Sequence, residues 1–192
     1  MKQLQRHHPK QRKKTPNAPK RLRKALGPKV RNLRLIQGWS QQTLAKVAGM
    51  DDGHIGEIER SEIDPSLSTL LKIAKAFDLT LSKLLQTSRP GHSMTKLIPT
   101  PTTATDVHPT KPKVRFHTDE FTAIRKKLAH RIRQLRRQKG WSQERLADEA
   151  GLGRASMGEI ERFKVDVRLN TLNKICRALN LEVPELFSGL QD

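Results

Sequence analysis

The sequence has little cysteine, few aromatic residues and no long apolar run. Its single cysteine, Cys176, excludes an intramolecular disulfide, so we expect a small buried residue in a reducing cytoplasm. The absence of tyrosine, with only two tryptophans and five phenylalanines, argues against a platform that stacks single-stranded bases. No apolar run approaches the roughly 20 residues of a membrane span. The basic N-terminus is not followed by an apolar segment, which argues against a secretory signal.

The chain also lacks the residue groupings that catalysis and metal binding require. None of the seven histidines stands at a ligand spacing from Cys176 or from a pair of carboxylates. There is no glycine-rich phosphate loop, and no serine or cysteine is identified as a nucleophile with an activating base. We therefore predict that the protein is not an enzyme, with no cofactor and no metal, and no small-molecule ligand is evident.

Acidic residues are absent from the N-terminal segment, and this segment therefore carries much of the net charge of +19. Residues 1–25 carry ten lysines or arginines and no acid, whereas residues 26–86 carry eight basic and seven acidic residues. Polyanions are the natural partners of such a chain, with nucleic acid first and an anionic membrane surface second. A solubilising charged tail is the alternative interpretation.

Two segments have the composition of unfolded chain. Residues 1–24 are basic and proline-containing with almost nothing apolar, which predicts a disordered basic arm. Residues 87–117 are rich in threonine, proline and serine, which predicts a linker. A flexible linker of this length spans roughly 30 Å and permits either a docked pair of domains or two independent ones.

The remaining chain consists of one segment that occurs twice. Residues 26–85 return without a gap at 128–187, and adding 102 to a residue number carries one copy onto the other. Roughly four positions in ten are identical, which is a strong internal repeat. We therefore expect two domains of one kind, at residues 25–86 (the first copy) and 118–188 (the second copy).

Each copy has the apolar periodicity of short helices, and we predict five helices per copy in an all-α fold. Pro28 suits a first helical position. Ser40 and Ser142 stand where the N-cap of a second helix belongs. Gly49 and Gly151 should end that helix, because glycine tolerates the positive φ of such a turn.

A short helix, a glycine-containing turn and a second helix ending in Ile-Glu-Arg form a helix-turn-helix pattern. Both copies contain W-S-Q-x-x-L-A-x-x-A-G followed by G-E-I-E-R, starting at Trp39 and Trp141. In these residues the chain resembles the lambda-repressor-like, or xenobiotic-response-element (XRE) type, helix-turn-helix family. The resemblance covers about two thirds of the chain, and it implies two tandem five-helix DNA-binding domains.

The resemblance also implies roles for individual positions. The glutamine that opens the second helix would brace the recognition helix and contact a phosphate. The first turn and exposed face of the third helix would read bases, and the loop after it would touch the backbone. The glutamate of Ile-Glu-Arg, Glu59 or Glu161, would pair with Arg34 or Arg136 as part of the core. The implied DNA-binding residues are Gln41, Gln42, Asp52, Gly53, Gly56 and Glu57 in the first copy, and Gln143, Arg154, Ala155, Gly158, Glu159, Lys164 and Arg168 in the second.

The two copies differ on this face. Arg154 can form a bidentate contact with guanine O6 and N7, and Lys164 and Arg168 can reach phosphates. The first copy has five acids in this region, namely Asp51, Asp52, Glu57, Glu62 and Asp64. Three interpretations of the first copy stay open: a degenerate domain that serves self-association or contact with a protein partner, a second DNA reader helped by the arm, and structural filler.

The leading hypothesis is a sequence-specific regulator of transcription that binds double-stranded DNA, cytoplasmic and nucleoid-associated, without membrane association. The second helix-turn-helix would enter the major groove, and the basic arm would contact phosphates. Two half-sites one helical turn apart, roughly 34 Å, lie within the linker's reach if both copies read DNA. The alternatives are a protein-interaction adaptor, with an antitoxin-like or bridging role for the acidic face, and an RNA-binding protein driven by the arm.

Overall fold

The computed structural model describes residues 18–86 and 118–190, which form ten helices, five in each copy. The first copy contains α1 (Ala18–Ile36), α2 (Gln41–Ala48), α3 (Asp52–Glu59), α4 (Leu67–Ala76) and α5 (Leu81–Leu85). The second copy contains α6 (Thr118–Gln138), α7 (Gln143–Ala150), α8 (Arg154–Glu161), α9 (Leu169–Leu179) and α10 (Val183–Leu186). The all-α prediction with five helices per copy is confirmed for these residues.

The first helix starts earlier than the sequence suggested. It begins at Ala18, so residues 18–24, which we assigned to the arm, are helical, and Pro28 lies inside the helix instead of at its first position. The reason is tertiary packing: Leu22, Leu26 and Val30 follow one helical face and lie against or within the core. Burial of this stripe offsets the cost of an interior proline, about 3 kcal/mol. The rest of the predicted arm, residues 1–17, and the predicted linker, residues 87–117, lie outside the described residues.

The predicted ends of the second helix of each copy are confirmed. The Ser40 Oγ accepts a hydrogen bond from the Thr43 N–H at 3.0 Å, and the Ser142 Oγ accepts one from the Arg145 N–H at 3.1 Å. Gly49 and Gly151 both have φ of 61°, in the left-handed region. The cap and the glycine thus limit this helix to eight residues in each copy.

The core of each copy is built from apolar side chains of its helices. The largest fully buried side chains are leucines and isoleucines from several helices, together with Phe187. Cys176 is completely buried, as expected for a small core residue, and burial raises the pKa of its thiol to about 12. Trp39 is buried and stacks on Phe77, with ring centroids 5.7 Å apart. This contact joins the turn between α1 and α2 to the end of α4.

The two copies are docked, which is one of the two arrangements that the linker permits. Ser66 and Arg168 form an antiparallel β-bridge between the copies. Beside it, the Leu67 N–H donates to the Val167 carbonyl oxygen at 2.8 Å, and the Leu169 N–H donates to the Pro65 carbonyl oxygen at 2.9 Å. Helix α5 contacts α10, and α1 contacts α9. The described part of the chain is therefore a pair of domains joined along a shared face.

Among the described helices, none combines the length and the apolar character that crossing a bilayer demands.

Candidate nucleic-acid interface

The helix-turn-helix corner is formed by α2, α3 and the turn between them, and by α7 and α8 in the second copy. The Met50 N–H donates to the Ala45 carbonyl oxygen at 2.9 Å, and the Leu152 N–H donates to that of Ala147 at the same distance. Ala45 and Ala147 are completely buried. A small side chain is needed there because the two helices of the corner cross closely.

A buried ion pair fixes the recognition helix of the first copy. The Arg34 Nε donates to Glu59 Oε1 at 2.6 Å and Nη2 donates to Oε2 at 3.0 Å, while Nη1 donates to the Trp39 carbonyl oxygen at 2.7 Å. Gln41 Nε2 donates to Glu59 Oε2 at 2.8 Å. Both charged residues of the pair are 8% exposed. The pair therefore joins α1 to the last residue of α3, in agreement with the structural role that the resemblance implied.

The same network lowers the pKa of the Glu59 carboxyl. Burial alone would raise this pKa, but the hydrogen bonds from Arg34 and Gln41 and the positive charges of Arg34 and Arg31 act in the opposite direction and prevail. The hydrogen bond to Glu59 likewise raises the pKa of the Arg34 guanidinium. The carboxylate is thus the form of Glu59 that the folded protein favours.

The second copy repeats this arrangement. Arg136 Nε and Nη2 donate to the two carboxylate oxygens of Glu161 at 2.7 and 3.1 Å, and Nη1 donates to the Trp141 carbonyl oxygen at 2.8 Å. Gln143 Nε2 donates to Glu161 Oε2 at 3.0 Å. The bracing role of Gln41 and Gln143 is therefore observed in both copies, and their contact with a phosphate stays a prediction.

Gly56 and Gly158 lie beneath other side chains in the free protein. Both are buried, and a Cβ at Gly56 would lie 2.9 Å from Arg60 Nη1 and 3.3 Å from Gln41 Oε1. A Cβ at Gly158 would lie 3.2 Å from Arg162 Nη2. Their lack of a side chain gives room to the bracing glutamine and to the arginine that follows the helix, and their contact with DNA stays a prediction.

The exposed surface of the third helix differs between the copies. In the first copy Asp51, Asp52 and Gly53 are exposed, and Glu57 is half-buried, with its Oε2 3.8 Å from His54 Nδ1. Gln42, on the preceding helix, is exposed as well. This face therefore offers carboxylates at the first turn of its recognition helix.

In the second copy Arg154, Ala155, Ser156 and Glu159 are exposed on α8. The Arg154 Nη1 donates to Glu144 Oε1 at 3.2 Å, and both side chains are more than half exposed. An exposed ion pair of this kind is weak, so the guanidinium is available to an incoming acceptor. Here the first turn offers a cation where the first copy has Asp52.

The loop after the third helix contributes less to an open surface than the sequence implied. Lys164 is exposed. Arg168 is exposed too, but it lies at the bridge between the copies, and its Nη1 donates to the Asp64 carbonyl oxygen at 3.3 Å. The Asp64 Oδ1 accepts a hydrogen bond from the Asn170 N–H at 3.0 Å. Asp64, counted among the acids of the first copy's face, thus belongs to the junction of the domains.

Sequence reasoning did not single out the arginine that ends the motif. Arg60 and Arg162 directly follow α3 and α8 and are exposed. Arg60 Nε donates to Glu62 Oε1 at 2.8 Å, and this hydrogen bond raises the pKa of Arg60 and lowers that of Glu62. The second copy has Lys164 where the first has Glu62. The repeated Glu-Arg of the motif could have drawn attention to Arg162, which adds a cation to the second face.

Comparison with known proteins agrees with this geometry. A helix-turn-helix family model matches residues 30–84, and a helix-turn-helix domain model matches residues 127–187. The control protein C.SmaI of Serratia marcescens is 39% identical over 64 residues, which is 33% of this chain and 76% of that protein. The HTH-type transcriptional regulator SutR of Escherichia coli is also 39% identical over 64 residues, but these cover only 36% of SutR.

Among solved structures, the restriction-modification controller protein C.AhdI from Aeromonas hydrophila is 37% identical and has a TM-score of 0.32, covering 32% of this chain and 94% of that one. The family models, the sequence relatives and the two helix-turn-helix corners agree. The chain therefore belongs to the XRE-type helix-turn-helix family of DNA-binding transcriptional regulators, which are not enzymes, and it carries two such domains.

Proposed function

We propose that the chain binds a specific double-stranded DNA sequence with α8 in the major groove and with the basic N-terminal arm on the phosphates. The observation that carries the proposal is the exposed Arg154 at the first turn of α8. A guanidinium at this place can donate to guanine O6 and N7 together, a contact that discriminates against other bases by about 1–3 kcal/mol.

The charges around Arg154 favour approach to DNA. Arg162 and Lys164 are exposed just beyond the end of α8, where they can contact phosphates on either side of a groove. In the first copy the residues equivalent to Arg154 and Lys164 are Asp52 and Glu62. The second copy therefore supplies most of the base discrimination and the first copy supplies less.

The arm adds sequence-independent affinity. Residues 1–17, which precede α1, contain six basic and no acidic residues, so they favour any polyphosphate. Each phosphate that the arm neutralises releases counterions and steepens the salt dependence, by about 0.9 in the slope of log K against log salt. The arm sets the strength of binding and α8 sets its sequence preference.

The test of the α8 assignment uses two variants at equivalent positions. Arg154→Ala should weaken binding to a duplex selected with the full-length chain by about 5- to 150-fold, as expected for a lost bidentate base contact. Its matched control is Asp52→Ala, which removes an acid from the same place in the first copy and should leave binding unchanged or tighter. Fluorescence anisotropy on the selected and on a random duplex gives both values. Equal losses in the two variants, or no loss in Arg154→Ala, would overturn the assignment.

The test of the arm is deletion of residues 2–17, which removes six lysines or arginines. We expect weaker binding to selected and random duplexes by the same factor, and a shallower salt dependence. Loss of binding to the selected duplex alone would show that the arm reads sequence instead.

One observation favours a second function, contact of the first copy with a protein partner. Asp51 is the N-cap residue of α3 but makes no side-chain capping hydrogen bond, and Asp51 and Asp52 are both exposed. Two carboxylates left free at the start of a helix fit a basic protein surface better than a phosphate backbone. Under this alternative, Asp51→Ala with Asp52→Ala abolishes regulation of a reporter gene while leaving DNA affinity intact. Retained regulation contradicts it.

A further inference from the structure

The contacts between the two copies are reciprocal. Leu67 is equivalent to Leu169, and Pro65 is equivalent to Val167. Exchange of the two copies therefore converts one backbone hydrogen bond of the bridge into the other. The first runs from Leu67 to Val167 and the second from Leu169 to Pro65. An interface in which residue i contacts j and the equivalent of j contacts the equivalent of i has two-fold symmetry. A tandem repeat docked by simple translation would have unlike surfaces in contact.

The side chains at the bridge follow the same rule. Asp64 accepts a hydrogen bond from the Asn170 N–H at 3.0 Å, and its equivalent, Asp166, accepts one from the Ser68 N–H at 3.1 Å. Asp166 also accepts a hydrogen bond from the Ser68 hydroxyl. The Asp64 carboxylate of the first copy therefore caps the start of α9 in the second copy, and the Asp166 carboxylate of the second copy caps the start of α4 in the first copy.

Two separate contacts locate the axis of this symmetry. A two-fold axis passes between residues that contact their own equivalents. Ser66 and Arg168 are such a pair, joined by the β-bridge. Ser82 and Pro184 are another, since the Ser82 Oγ donates to the Pro184 carbonyl oxygen at 3.0 Å. The second pair lies where α5 meets α10, whose leucine and valine side chains are buried. The axis therefore runs from the bridge to the α5–α10 contact.

From this symmetry, and resting on the DNA-binding function proposed above, we infer that one chain binds an inverted pair of half-sites with unlike sequences. Although the copies are repeated head to tail in the sequence, the two-fold axis turns α8 by about half a circle relative to α3. Two DNA half-sites arranged as direct repeats would therefore not fit the docked pair of domains. The half-sites differ because Asp51 and Asp52 of one face stand where the other has Gly153 and Arg154.

The same contacts explain why one chain suffices. Symmetric oligomers of DNA-binding proteins match their own two-fold axis to that of the DNA. Here the bridge and the α5–α10 contact already bring the second helix-turn-helix to the first within one chain. The linker makes this association intramolecular, so it does not depend on the protein concentration.

Two half-sites can be recognised as inverted or direct repeats only when their sequences are alike. The test therefore first makes the recognition faces of the two copies alike. The equalised chain carries Gln42→Glu, Asp51→Gly, Asp52→Arg, Gly53→Ala, His54→Ser and Glu62→Lys, which give the first copy the residues of the second at positions that are exposed or partly exposed. In vitro selection of this full-length variant on random duplex DNA should enrich an inverted repeat of one half-site at fixed spacing. Turning one half around to make a direct repeat should weaken binding at least ~100-fold, the lower range of the gain from joined sites.

The outcomes separate this inference from the function on which it rests. An enriched direct repeat, or a single enriched half-site, would overturn the inferred arrangement while leaving the second copy as a DNA reader. No enrichment by either the equalised or the native chain would overturn the DNA-reading function itself. Insertion of about 5 base pairs between the halves, which turns one to the opposite face of the duplex, should abolish the joint binding.

A second measurement addresses docking in a chain whose recognition faces are native. Opposed residues of an antiparallel bridge lie about 4.5–5.5 Å apart at Cα, within the range that a disulfide spans. Ser66→Cys with Arg168→Cys, in a Cys176→Ser background, should form an intramolecular disulfide. The oxidised form should bind the selected duplex within about 2-fold of the reduced form of the same variant, because docking is the binding conformation. A loss of more than about 10-fold on oxidation would contradict the inference.

Discussion

Replacement of Glu59 by alanine is the perturbation whose effect follows most directly from the geometry. The Arg34 guanidinium, 8% exposed, would keep one acceptor at 2.7 Å, the Trp39 carbonyl, and would lose both carboxylate oxygens. Removal of one partner from a buried ion pair costs about 3–5 kcal/mol, because the remaining charge is left without compensation. Since the pair lies at the edge of the core, we expect about 3 kcal/mol.

This loss is large for a domain of this size, because a unit of about 60 residues has roughly 3–9 kcal/mol of stability in all. Urea unfolding of the full chain, followed by circular dichroism, gives the change in free energy. The control is Glu62→Ala, whose carboxylate pairs with Arg60 in solvent and should contribute nothing measurable. If Glu59→Ala costs less than about 1 kcal/mol, or no more than the control, the structural role of the pair is wrong.

The same carboxyl predicts the direction of the pH dependence. The folded protein lowers the pKa of Glu59, so the stabilisation is present above the carboxyl's ordinary pKa and is lost as the pH falls through the lowered value. We expect the native chain to lose stability below about pH 4, and Glu59→Gln to lose less over the same interval. Parallel urea titrations of the two proteins measure this, and identical acid profiles would contradict the assignment.

Three further measurements test other parts of the structure. Ser142→Ala removes the acceptor for the Arg145 N–H and should cost about 1 kcal/mol in urea unfolding, and a neutral effect would contradict the cap. Cys176, with a thiol pKa of about 12 and a fully buried side chain, should resist iodoacetamide at pH 8 in the native chain and react in urea, so rapid native labelling would refute its burial. Glu144→Gln releases Arg154 from its exposed ion pair and should tighten binding to the selected duplex by up to about 5-fold, whereas weaker binding would show that Glu144 positions the arginine for DNA.

Features that depend on neighbouring residues were predictable from the sequence. The helix ends at Ser40 and Gly49 were among them, because a cap or a left-handed glycine acts within one turn. The pair of Arg34 with Glu59 spans 25 residues and came from the resemblance to a family, since no local pattern indicates it.

Features that depend on tertiary contacts were not predictable in the same way. The early start of α1 at Ala18 follows from packing of Leu22 on the core, and Pro28 by itself suggested a later start. The docking of the copies rests on backbone hydrogen bonds at Leu67 and Leu169, which any residue except proline can make. No side-chain pattern in the sequence predicts such a bridge.

The acidic residues of the loop after the third helix show why the candidate interface was not fully predictable from the sequence. Asp64 was predicted from the sequence to lie on the DNA-facing side, and Asp166 is its equivalent in the second copy. In the structure each accepts a backbone hydrogen bond from the other copy. The sequence therefore overestimated how many acidic side chains the first copy presents to solvent. Asp51 and Asp52 are exposed, as the sequence predicted.

The most direct test of the account is in vitro selection of the native full-length chain on random duplex DNA at about physiological salt, beside Arg154→Ala. At this salt concentration nonspecific binding is suppressed and specific binding persists. The account predicts an enriched site in which one half contains a guanine whose enrichment disappears with Arg154→Ala. Enrichment of no sequence by the native chain, or of the same guanine by both proteins, would contradict it.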